Sequence, residues 1–266
     1  MKLKEMRACA DETLAFFVQT MPDVPFGADD ITIAFAANKD FVDCYKDLCQ
    51  RCAPERLRAL QDHHFEQLEN GTFGNAIIGR EQSAAVIRID YKINRDTLRR
   101  IVFHENMHIY CAKAEMDGEH FIDVYGSGHT PDANPDDVEY DGEVSAGYAV
   151  WAEFVAEYHA MMKTATQKHY FSDIAEYIFD LLHEVIIGDN GAKYVFSMVS
   201  AYILSCADAD EVLEGMNGIS DGSARGDAMA AALQNVRGFL HEQVQGERPC
   251  KITEEFIHTL GCKYNW

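Results

Sequence analysis

Residues 104–108 read His-Glu-Asn-Met-His, inside a stretch whose apolar residues recur with helical spacing. Positions four apart on a helix share a face, one turn above each other. Two neutral imidazoles so placed reach one zinc ion together, and the glutamate between them leans over the metal's open side. His104 and His108 are therefore candidate metal ligands, and Glu105 is a candidate general base. The chain carries 11 His and 44 acidic residues, so His-Glu pairs also arise from composition alone. His183-Glu184 and His241-Glu242 are two examples. Each lacks the second histidine, with Ile187 and Gln245 in its place, and each reads as an ordinary pair on a helix surface.

A catalytic zinc usually takes three protein ligands and leaves a fourth position for water. The pattern H-E-x-x-H-x-x-G-x-x-H is excluded, because Cys111 and Ala114 occupy the glycine and third-histidine positions. Ser127, Gly128 and His129 stand about twenty residues on, where another arrangement would need a glutamate. His129 has the right chemistry, but its Gly-rich surroundings give no scaffold to aim it. The segment W-A-E-F-V-A-E-Y, residues 151–158, offers more. Glu153 and Glu157 lie four apart on an expected helix over 142–163. The first can bind zinc, and the second can accept the N–H of a ligating histidine and fix its tautomer.

With H-E-x-x-H followed by E-F-x-A-E, residues 84–163 resemble the gluzincins, zinc peptidases whose third ligand is a glutamate on a second helix. The likeness is greatest to the anthrax lethal factor type of catalytic domain, and the gap of 45 positions from His108 to Glu153 is in keeping with it. The resemblance implies an α+β, zincin-like fold with a small mixed sheet over the H-E-x-x-H helix. It implies that His104, His108 and Glu153 hold Zn2+, that Glu105 is the general base and that Glu157 supports a ligand. The expected activity is hydrolysis of peptide bonds in a peptide or protein substrate. The lethal factor branch carries a tyrosine seven residues before its ligand glutamate, where this chain has Ala146. Tyr148 and Tyr140 are the nearby substitutes, and neither is in register. Tyr148 is taken as the catalytic candidate. That departure keeps a second reading open: an inactive zincin-derived protein that binds a partner through an acidic loop over 117–143.

These residues need elements to aim them. Ala84 to Tyr91 alternates and is β-branched, as a half-buried strand should be. Asn94 offers an N-cap to a helix running from Asp96 to about Met116. Upstream, residues 3–20 read as an amphipathic helix, 31–36 as a strand, 41–50 and 54–69 as helices, and 73–78 as a second strand. Beyond Lys163 the chain reads as almost wholly helical, over about 170–187, 191–206, 208–216 and 224–244. No convincing linker interrupts it. One α+β domain over 1–266 with a largely helical C-terminal half is expected, and a helical subdomain over 170–266 is the alternative.

Composition narrows the partners. Hydrophobic content is 47%, ordinary for a globular chain. The net charge of −21 argues against a nucleic-acid binder. Residues 117–143 hold nine Asp or Glu and no Lys or Arg; near a cleft they would favour basic peptides. Within them, residues 132–143 follow part of a calcium-loop pattern, but Asp137 stands where the turn needs glycine and Pro135 crowds it. No stretch approaches 18 uninterrupted apolar residues, so no membrane span is expected. The first residues lack the apolar core of an export signal. Eight scattered cysteines fit a reducing compartment, and a cytoplasmic location is expected. Cys44, Cys49 and Cys52 are the one cluster. They would need His63 or His64 to complete a structural zinc site, and they read instead as thiols on a partly buried helix. Cys111 follows His108 by three residues with no assigned role.

Overall fold

Buried positions recurring at 6, 9, 10, 13, 14 and 17 give the first helix one apolar face. In a computed structural model of the chain this segment is helix α1, Leu3–Thr20, with Met6, Cys9, Ala10, Leu14 and Phe17 buried. The structure describes residues 1–60, 73–89, 93–116, 142–165, 239–247 and 249–264, together with Phe65, Leu68, Ser197, Ser200, Ala201, Leu204 and Ser205. The chain divides into two compact units, Met1–Glu139 and Tyr140–Trp266.

In the first unit, α1 is followed by β1 (Ile31–Ala36), α2 (Asn38–Cys52), α3 (Pro54–Ala59), β2 (Gly74–Ile77), β3 (Ser83–Arg88) and α4 (Arg95–Lys113). The strands form a three-stranded sheet in the order β1-β3-β2. β1 runs parallel to β3, pairing Ile33 with Ala85, and β2 runs antiparallel, pairing Ala76 with Ala85. The helix expected over 54–69 is interrupted: α3 ends at Ala59, Leu60 turns to extended backbone, and Phe65 and Leu68 beyond it are again helical.

β3 departs from the half-buried strand its alternation suggests, for all six of its residues are buried. The reason is its central place, with helices on both faces. Ala84 and Val86 pack with Phe41, Tyr45, Leu48 and Cys49 of α2. Ala85 and Ile87 pack with Met6, Cys9 and Ala10 of α1 and with Leu98, Ile101 and Val102 of α4. Even Arg88 is 1% exposed; its guanidinium bonds the Asn38 side chain at 2.5 Å and stands 4.3 Å over the Phe41 ring.

Asn94 caps α4 as its position predicts, its side-chain oxygen accepting the Thr97 N–H at 2.8 Å. The other end closes when the Met116 N–H donates to the Cys111 carbonyl at 2.8 Å. Glu115 takes the left-handed conformation, φ 54°, that this type of helix stop requires.

The second unit contains α5 (Gly142–Thr164) and α6 (Glu254–Tyr264). They cross with almost no room at Gly147, where a Cβ would lie 2.0 Å from the Ile257 carbonyl oxygen. α6 was not expected from its sequence, although Thr253 supplies a cap: its hydroxyl accepts the Phe256 N–H at 3.2 Å. Most residues of the helices expected over 170–244 lie outside the described ones; Ser197, Ser200, Ala201, Leu204, Ser205 and residues 239–241 are helical. The architecture is mixed α+β, a small sheet with mostly helical content. No helix among the described residues is long and apolar enough to cross a membrane.

Candidate functional site

α4 carries residues 104–108, and it is held from several sides. Leu98, Ile101 and Val102 face the sheet. Phe103 meets Phe17 of α1 with ring centroids 4.7 Å apart, and the Tyr110 ring lies 6.1 Å from the same phenylalanine. The Tyr110 hydroxyl donates to the Pro22 carbonyl at 3.0 Å. Asn106 is fully buried and donates its side-chain N–H to the Val102 carbonyl at 2.7 Å. Between Val102 and Ala112 every side chain is buried except that of His108, which is half-buried. The helix is therefore fixed in rotation, and over these residues the one gap in its cover falls at the second histidine.

At that gap the two imidazoles meet. His104 is 8% exposed, and its Nε2 lies 3.0 Å from the Nε2 of His108, with the rings inclined at 74°. Two nitrogen ligands 2.0–2.1 Å from one tetrahedral ion stand about 3.3 Å apart, so this pair is spaced to share a small cation. Glu105 is 5% exposed and sits against Gly74 of β2. Sequence reasoning missed Gly74, because nothing local to it signals a partner on α4.

α5 carries the remaining candidates. Glu153 is half-buried, and Glu157, one turn along, is 3% exposed. A solvated face would leave both in water, and Glu157 does not fit that description. Tyr148 is half-buried, its ring 6.1 Å from that of Trp151. His159 on the same helix was also missed. It is 3% exposed, and burial, helped by the Lys163 charge, holds its pKa down to about 4. Tyr140, His129 and all of residues 117–141, including nearly all of the calcium-like stretch, lie outside the described residues.

The cysteines separate into packing and surface groups. Cys49 is buried in the α2 core, while Cys44 and Cys52 are half-buried. Burial raises the pKa of all three. All three lie on α2 outside any disulfide, and His63 and His64 lie outside the described residues. Cys111 is a buried thiol on α4.

Comparison with known proteins finds no matching family model, no matching curated protein and no matching solved structure.

Proposed function

We propose that the protein is a zinc-dependent metallopeptidase of zincin-like fold. In this reading His104, His108 and Glu153 hold the metal, Glu105 is the general base and Glu157 orients a ligating histidine. The observation that carries it is the shielded imidazole pair on α4, with Nε2 atoms 3.0 Å apart and an acid buried beside it. Two neutral imidazoles and one carboxylate form a donor set that zinc accepts in hydrolytic sites.

A zinc ion held by His104, His108 and Glu153 would supply Lewis acidity to water and to a substrate carbonyl near neutral pH. The protein's own groups do the rest. Glu105 takes the proton from the attacking water and passes it to the leaving amine. Glu157, buried one turn from Glu153, is suited to accept an imidazole N–H and hold that ring's tautomer. Tyr148 is the candidate donor to the developing oxyanion. The acids of residues 117–143 favour basic peptides, and the scattered thiols favour the cytoplasm.

The test is zinc analysis of the purified protein, followed by cleavage of a peptide library by wild type and Glu105→Gln. We expect about one zinc per chain in both and hydrolysis in the wild type alone. Loss of the base should cost at least about 100-fold. Equal cleavage by the two proteins removes the assignment. One observation favours a second reading, a partner-binding protein that keeps its metal without catalysis: Ala146 stands where the resembled branch has a tyrosine. Zinc in both proteins and cleavage by neither would select it.

A further inference from the structure

Gly74 begins β2, which among the described residues pairs with β3 alone, and it is buried. A Cβ built on it would stand 2.6 Å from Glu105 Oε1 and 3.1 Å from both Cδ and Cγ. The carboxylate thus lies in the space a side chain would fill. From this contact we infer that Gly74 is a positioning residue. Its bare Cα is the wall that seats the Glu105 carboxylate beside the histidine pair. The inference rests on the peptidase reading for its catalytic consequence, and on packing alone for its geometry.

The other close glycines make the contrast. At Gly79 a Cβ would strike the Cys52 and Gln82 carbonyl oxygens at 2.1 and 2.2 Å, and at Gly147 it would strike Ile257 backbone. Backbone cannot step aside, so those positions are fixed by the fold. At Gly74 all three close atoms belong to one side chain, that of Glu105. A methyl group there displaces the carboxylate and leaves the strand in place. Gly74 carries no left-handed φ, so no backbone strain adds to the effect.

The experiment compares zinc-loaded wild type, Gly74→Ala, Glu105→Asp and the double variant, with crystal structures of wild type and Gly74→Ala. In Gly74→Ala we expect zinc content unchanged, KM within about twofold and kcat down about 100-fold, the scale of a 1 Å misplacement of a reacting group. The crystal structure should show the Glu105 carboxylate displaced while His104 and His108 keep their places. Glu105→Asp withdraws the carboxylate by one methylene, so adding Gly74→Ala to it should cost less than about threefold more. Wild-type kcat in Gly74→Ala, an undisplaced carboxylate, or fully multiplicative losses in the double variant would overturn the assignment. A displaced carboxylate in a protein whose wild type cleaves nothing would confirm the packing, end the peptidase reading and overturn the catalytic role with it.

Discussion

His159, 3% exposed on α5, is held in its neutral form by burial and by the Lys163 charge, with a pKa of about 4 against an ordinary 6.5. In the unfolded chain the ring takes up a proton near pH 6.5, while in the folded protein it does so only near pH 4. Between those values the unfolded state binds more protons, so stability falls as pH falls. The loss across the window amounts to about 3 kcal/mol at most. Urea unfolding at pH 7 and pH 4.5 should show His159→Gln losing clearly less stability on acidification than wild type; parallel losses would contradict the buried neutral ring. At this scale the sequence was most legible where the chemistry is contiguous. His104, Glu105 and His108 announce themselves within five positions, and Glu153 with Glu157 within another five. Gly74 and His159 were silent, because each matters only through burial and through what packs against it.

Among the elements, α5 and α6 depend on their crossing at Gly147. A methyl group there would press on the Ile257 carbonyl and on the Gly261 N at 2.9 Å, both backbone atoms. Relief requires the helices to separate. Gly147→Ala should therefore cost about 3 kcal/mol in urea unfolding, the upper range for overpacking; a loss under about 0.5 kcal/mol, ordinary for surface changes, would mean that the crossing is looser than described. Elements with a strong period and a cap could be read in advance: α1 by its apolar face, α4 by Asn94, α5 by its apolar run. β3 was read as half-buried because alternation alone does not reveal that both faces will be covered. The break at Leu60 was missed, since Leu57 and Leu60 continue a helical spacing across the point where the backbone extends before Phe65 and Leu68 are helical again. α6 was overlooked because eleven residues ending in Gly-Cys-Lys-Tyr give a weak pattern, and only the Thr253 cap marks its start.

For the whole molecule, the proposed ligand set draws two side chains from the first unit and one from the second, so metal binding should couple their stabilities. A ligand that binds only the folded state raises stability in proportion to the logarithm of its concentration over Kd. Scanning calorimetry with and without saturating zinc should show both units gaining stability in wild type. In Glu153→Ala the gain should shrink and stay with the unit that carries the histidines; an undiminished gain in both would remove Glu153 from the ligand set. The division at Glu139 was not visible as a linker, because residues 117–143 read as an acidic loop of a single domain. The distribution of thiols carries a practical consequence. Burial holds Cys9, Cys44, Cys49 and Cys52 in their protonated form, whereas Cys250 and Cys262 are exposed. Alkylation depends on thiolate at an accessible sulfur. A maleimide dye added to the native protein would therefore mark these two surface thiols of the C-terminal unit first and spare the histidine-bearing unit, giving a fluorescence reporter of one half of the molecule without any engineered cysteine.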